Sequence, residues 1–308
     1  MATLQNLLPC LCVFLANLVS TVFAKGPAEV PLVSSVSPEQ PNFTFARLYD
    51  LQVKFYDAFL WPANLEQMAA INSTLLAEDV IGRIDITRNF EGRELNTEYL
   101  FGLFAQSAQH PEIITLVGVP VSYEIIHFTA NQYITSAAVR LQFNFTSLGL
   151  TVPVEIDSWN TYNEAGEITQ FDVTFRYWQW LVDHVITASA PKVGATSPEE
   201  AITKLGQLVA QGVCSTHQMY CTGGNTQYAD FNACLSYLTN ATRFGQAYEL
   251  GRDTLLCRSL HRNMVPYRPE VHCPHIGPAG GGMCGDEMDY PGTVASDIFP
   301  VPYKPYGY

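Results

Sequence analysis

From residue 133 to 145 the chain alternates. Tyr133, Thr135, Ala137, Val139, Leu141, Phe143 and Phe145 take the odd positions, with Arg140, Gln142 and Asn144 between them. Residues two apart in a strand share a face, so this run predicts a half-buried strand with one wet face. The next run repeats the pattern, with Leu150, Val152, Val154 and Ile156 on one side and Glu155 and Asp157 on the other. Residues 163–166 supply a turn ending in Gly166, and a long strand follows through Phe171, Val173, Phe175 and Tyr177. Residues 121–129 form an earlier strand, and Ile84 and Ile86 flank Asp85 in a short alternating run.

Upstream the period is that of a helix. Leu48, Leu51, Phe55 and Phe59 recur at spacings of three and four, which predicts a helix over 44–60, ended by Trp61-Pro62. A second helical stretch covers 65–78. Asn96 precedes a third, through Tyr99, Leu100, Leu103 and Phe104. Helices followed by an antiparallel meander make an α+β fold, with helices packed on one face of a curved sheet.

Beyond this region, residues 187–196 read as a linker of small residues. Ser197-Pro198-Glu199-Glu200 is a helix start, in which Ser accepts from an orphan amide and Pro occupies the first turn. Ile202, Leu205 and Leu208 give that helix an apolar face up to Gly212. A cysteine-rich stretch follows, and the Pro- and Tyr-rich tail 291–308 reads as extended or disordered.

The segment from Trp159 through Asn163, Glu164, Ala165 and Gly166 to Phe171-Asp172 resembles the closing hairpin of NTF2-like (SnoaL-like) domains. The order of an opening helix, residues 79–84 and then 94–104 is similar to that family's helical half. The resemblance covers 43–190. It implies a cone formed by a curved antiparallel sheet and N-terminal helices, able to hold a small apolar ligand. The family includes isomerases, cyclases, dehydratases and non-catalytic binding proteins, so the resemblance speaks to fold and not to reaction. Residues 251–284, above all Val271-His272-Cys273-Pro274-His275, resemble a Cys-rich extension of uncharacterised secreted fungal proteins.

Composition and charge narrow the partners. The 308 residues are 47% hydrophobic and 15% charged, with a net charge of −13. Nine Lys/Arg face 21 Asp/Glu up to residue 203, and seven face eight after it, so the acidity belongs to the first half. No basic stripe exists to displace counterions from phosphates, which argues against nucleic acid. Residues 1–24 hold no charged side chain and run apolar from Leu7 to Ala24, the pattern of a secretory signal peptide. A signal anchor holding the domain on the luminal or outer side is the alternative, because about 18 apolar residues suffice to span a bilayer. Cleavage leaves an extended leader at 25–42 and no later spanning segment. Asn42, Asn72, Asn144 and Asn240 lie in glycosylation triplets, in keeping with secretion.

Cys10 and Cys12 fall in the signal segment. Cys214, Cys221, Cys234, Cys257, Cys273 and Cys284 remain in the extension 197–290. An even number in an oxidising compartment predicts three disulfides, with fifteen connectivities open. The competing reading is metal: His261 follows Cys257 by four residues, and His272 and His275 flank Cys273, a set zinc accepts, although the spacing matches no standard finger.

For chemistry within the cone, Asp172, Thr174 and Arg176 alternate onto one strand face beside Trp178 and Trp180. A carboxylate in an aromatic pocket shuttles protons when its pKa is raised. The competing reading is a cross-strand Asp–Arg ion pair on an outer or dimer-facing surface. His127 is a second acid/base candidate, and Asp85, Tyr133, Trp159 and Tyr177 are candidate pocket residues. No nucleophile elbow, zinc-peptidase helix or dinucleotide fingerprint occurs, so no cofactor is expected. The expectation is a secreted small-molecule-binding or interaction protein whose sheet offers a surface for homodimers. A cofactor-independent isomerase, cyclase or dehydratase is the first alternative, and a His-based metal-binding protein the second.

Overall fold

A computed structural model describes residues 40–105 and 114–307. The segment read as a signal, and most of the leader, lie outside the described residues. Thr44 starts helix α1 (Phe45–Phe59) by accepting from the Arg47 amide at 3.2 Å, and Leu48, Leu51, Tyr56 and Phe59 turn inward. Helix α2 (Ala63–Ala70) follows. It is shorter than its apolar pattern suggests, because Leu76 already opens strand β1 (Leu76–Ile84). Strand β2 (Asn89–Glu91) pairs with β1, and helix α3 (Arg93–Phe101) includes Asn96, whose side chain donates to the carbonyls of Gly92 and Val80.

The remaining strands are β3 (Val119–Asn131), β4 (Ile134–Phe145), β5 (Leu150–Tyr162) and β6 (Ile168–Phe175). Gly166, at φ +79°, makes the turn between β5 and β6, a backbone conformation that favours glycine. The six strands form one sheet in the order β2-β1-β6-β5-β4-β3. Pairing is antiparallel except between β1 and β6, so the sheet is mixed and not wholly antiparallel. Gly82 in β1 is required by close approach: a Cβ there would fall 2.0 Å from the Phe171 ring. The inward residues of β4, among them Val139 and Leu141, are fully buried beneath the helices. This is the cone that the resemblance implies, a curved sheet with the helices packed against its concave face.

Strand β6 stops at Phe175. Tyr177 adopts a left-handed conformation (φ 55°) and caps helix α4 (Trp178–Ser189), so Tyr177, Trp178 and Trp180 do not continue the strand. Trp178, Leu181, Val182, Val185 and Ile186 recur at helical spacing, a signal stronger than the alternation that precedes it.

In the extension, Ser197 caps helix α5 (Pro198–Tyr220) by accepting from the Glu200 amide. Helices α6 (Phe231–Asn240), α7 (Leu255–Arg262) and α8 (Pro269–Ile276) pack around a second apolar cluster. Three disulfides run through it, Cys214–Cys234, Cys221–Cys273 and Cys257–Cys284. Each contributes about 2–4 kcal/mol by restricting the unfolded chain. The pairing removes the reading in which these cysteines serve as metal-binding thiolates. Arg258 is wholly buried and ties the region together, pairing with Asp253 and donating to the carbonyls of Gly277 and Pro278.

Helix α9 (Tyr290–Ala295) precedes a stretch laid over the convex face of the sheet, where Gln170 exchanges hydrogen bonds with the Val301 backbone and Phe299 covers Arg83. Among the described residues no helix is long and apolar enough to cross a membrane.

Candidate functional site

Between the concave sheet face and the extension lies a cavity with about 130 Å³ open to the centre of a water-sized sphere. For scale, an engineered apolar cavity of about 150 Å³ stays dry and takes up benzene. Phe55, Tyr56 and Phe59 of α1, Phe143 and Phe145 of β4, and Val173 and Phe175 of β6 line one side. Leu181 and Val182 of α4 line another. The extension closes the cone with Leu250, Leu256, Ser259 and Leu260. It is seated by backbone contact: the Leu250 amide donates to the Ile86 carbonyl at 3.2 Å, and Trp178 Nε1 donates to the Ala247 carbonyl at 2.9 Å.

The lining contains no Asp, Glu, His, Lys or Arg among the described residues. Its polar atoms come from Tyr56, Tyr99, Thr87 and Ser259. The Ser259 hydroxyl is spent on the Leu256 carbonyl at 2.7 Å. Burial pushes the Tyr56 phenol up to about 12 and raises that of Tyr99 well above its ordinary value, so both are neutral donors.

Tyr99 also belongs to a second constellation behind the cavity wall. Its hydroxyl lies 3.1 Å from the ring nitrogens of His261 on α7. His261 Nδ1 is 3.1 Å from His275 Nδ1, which is 3.3 Å from His272 Nδ1 on the same helix, α8. All three imidazoles are buried. Burial, with the neighbouring imidazoles, holds His261 well below the ordinary histidine range and His275 at about 4. His272 Nε2 lies 3.2 Å from Glu98 Oε1, to which Arg268 donates at 2.7 Å. Cys257 and Cys284 also approach His261 but are bonded to each other, which leaves the three histidines as the residues with free ligand atoms.

The acid/base candidates read from the sequence lie elsewhere. Asp172 is on the convex face, where both its oxygens accept from Arg83, its neighbour across the parallel β1–β6 pairing. It points away from the cavity because strand parity sends Val173 and Phe175 inward. Arg176 lies on the outer surface, paired with Glu155 and Asp157. His127 is exposed on the edge strand β3, beside a register shift between Ile125 and His127. Trp159 is on the convex face near Tyr303, and the buried Tyr133 donates its hydroxyl to the Lys304 carbonyl. Tyr177 is exposed and stacks on Trp180. None of these lines the cavity.

Asp85 stands between the lining residues Ile84 and Ile86 in sequence, but it is exposed and does not line the cavity either. Its carboxylate accepts from the Phe175 amide at 3.2 Å. Although the residue keeps contact with solvent, the surrounding protein mass pushes its carboxyl up to about 6. Of the glycosylation triplets, Asn42, Asn72 and Asn240 are exposed and Asn144 is half-buried.

Sequence reading missed Tyr99, Glu98 and the inner face of α4. The α4 residues had a visible signal in their spacing of three and four. Tyr99 and Glu98 had none, because what matters about them is contact with histidines more than 160 positions away.

Two family models match the chain, the BfoA N-terminal domain over residues 53–173 and the BfoA family C-terminal domain over 177–287. The aurasperone B biosynthesis cluster protein A of Aspergillus niger is 50% identical over 260 residues, covering 84% of each chain. The bifonsecin B biosynthesis cluster protein A of Aspergillus brasiliensis is 49% identical over 262 residues, covering 85% of this chain and 86% of that one. Among solved structures, a putative isomerase of the SnoaL-like family from Agrobacterium tumefaciens matches 42% of this chain at 12% identity, with a TM-score of 0.29 and 97% of its own length covered. Likeness at that level says nothing about reaction. With two models spanning cone and extension, and relatives at half identity over most of their length, the chain belongs to the BfoA family.

Proposed function

We propose that this is a secreted binding protein that holds a small apolar molecule of one or two aromatic rings in its cone, a polyketide-like intermediate or product of a biosynthetic pathway. The observation that carries the reading is the cavity wall: aromatic and aliphatic throughout, with phenols and hydroxyls as its polar atoms. Such sites bind by apolar burial, with a few placed polar groups fixing orientation. The names of the relatives, both biosynthesis cluster proteins, support a ligand of that origin. Three disulfides support an oxidising compartment and hence a cleaved signal at 1–24, as does the solvent access of three of the four Asn triplets. The isomerase or cyclase reading is weaker, because Asp172 and His127 lie outside the cavity.

Calorimetric titration of the full mature chain with naphthalene and 2-naphthol tests this. One-to-one saturation is expected, and Val182→Trp, which fills the cavity from α4, weakens it at least about tenfold, or about 1.4 kcal/mol. Absence of saturation by folded protein, or loss of binding in Asp172→Asn, overturns the reading.

A further inference from the structure

We propose that His261, His272 and His275 hold a divalent first-row transition metal ion through their Nδ1 atoms, at the junction of α3 with the disulfide-bonded helices α7 and α8. The inference goes beyond the ligand reading and stands whether or not the cavity binds an aromatic.

Hydrogen bonding does not account for the cluster. A neutral imidazole nitrogen carries either one proton or one lone pair. His275 Nδ1 nevertheless faces two partners, His261 Nδ1 at 3.1 Å and His272 Nδ1 at 3.3 Å. It can serve one of them in line and not both. A cation between the rings uses all three lone pairs at once. Tetrahedral bonds of about 2.0–2.1 Å set neighbouring nitrogens about 3.3–3.4 Å apart, close to the two spacings at His275, and the ligand atoms of all three histidines lie within 4.8 Å of one another. Imidazole donors suit zinc, copper, nickel or cobalt.

The surroundings are those of a ligand set held in place. Metal-bound histidines commonly direct their second ring nitrogen at a carboxylate, which orients the ring. His272 Nε2 lies 3.2 Å from Oε1 of the buried Glu98, the same oxygen to which Arg268 donates. Cys273, adjacent to His272, is bonded to Cys221, and Cys257, one turn before His261, is bonded to Cys284. The glycine run 280–282 packs against α8 at His275 itself: a Cβ on Gly281 (φ +56°) would lie 2.8–2.9 Å from the Pro274 carbonyl carbon and the His275 nitrogen. Tyr99, which also lines the cavity, brings its hydroxyl 3.1 Å from His261. An oxygen supplied from the cavity side is suited to the fourth position.

The experiment uses the full chain with its three disulfides confirmed by mass, treated with chelator and titrated with cobalt(II) while visible absorption is followed. One equivalent giving the intense spectrum of four-coordinate cobalt, displaced by zinc, is the expected result, together with a higher Tm in the presence of metal. His275→Ala loses the spectrum. Glu98→Gln, which keeps all three ligands, weakens affinity about 10–100-fold. Folded wild-type protein that gives no four-coordinate spectrum overturns the proposal, as does cobalt binding that is unchanged in both variants, which would place the metal on other histidines. If His275→Ala fails to fold, the Glu98→Gln titration and the wild-type spectrum decide the matter.

Discussion

On β6, Phe171, Val173 and Phe175 face the concave side of the sheet, whereas Gln170, Asp172 and Thr174 face the convex side. The concave residues meet helices and the extension, and build the cavity. Those on the convex side meet arginines and the tail, and build ion pairs: Arg83 with Asp172, Arg176 with Glu155 and Asp157, Arg140 with Glu124 and Glu155. One step along a strand thus separates a binding surface from a solvated one. Charge on this sheet marks its outside, so a titratable residue on a strand is a poor guide to the pocket here.

The sharpest way to break that comparison is to place the same change on both faces of β4. Leu141→Asp buries an unpaired charge in a fully enclosed position and is expected to cost more than about 4 kcal/mol, enough to unfold many single domains. Gln142→Asp, one residue on and facing outward, is expected to stay within about 0.5 kcal/mol. Urea denaturation of the two variants checks this, and similar midpoints would mean that the face assignment is wrong. A second test acts on the cavity wall. Leu256→Ala, at a buried position on α7, is expected to cost about 2–5 kcal/mol and to enlarge the cavity, so that ligands larger than naphthalene bind relatively better. Midpoints together with a titration series of aromatic probes measure both effects.

The strands from residue 121 onward were legible because period-two alternation is a strong local signal, and helix α1 was legible from Leu48, Leu51, Phe55 and Phe59. The direction of β1 was not: nothing in its residues says that it lies beside β6, 89 positions later in the pairing of Arg83 with Asp172. The site divides in the same way. Alternation put Asp172, Thr174 and Arg176 on one face of their strand and Val173 on the other, but it cannot say which side the helices cover. His261, His272 and His275 were visible as a group because two of them are three residues apart. Their supports, Glu98 and Tyr99, depend on how α3 meets α7 and α8, and only packing brings these together.

A smaller effect separates the outer ion pairs from the pocket. Asp172→Asn removes the two-oxygen contact with Arg83 at a position where both partners retain part of their solvent exposure. The expected loss is about 1 kcal/mol, with affinity for 2-naphthol unchanged. Both quantities come from the same preparation, by denaturation and calorimetry. A large fall in affinity with little loss of stability would return Asp172 to the binding site.

Asp85, exposed between the lining residues Ile84 and Ile86, offers a test of pH. Its carboxyl is pushed up to about 6 in the folded protein, mainly by burial, with the negative charge of Asp172 adding to the effect, against 3.8 for an unperturbed group. Between those values the folded state binds more protons than the unfolded one, so this group's contribution to stability declines as pH rises from 4 towards 7. Asp85→Asn keeps an oxygen that can accept from the Phe175 amide and removes the titration. The variant is therefore expected to gain on the wild type as pH rises, with the smallest difference near pH 4 and the largest above pH 6. Paired urea midpoints at pH 4 and pH 7 measure it. A difference independent of pH would mean that the carboxylate is as freely solvated in the folded protein as in the unfolded chain.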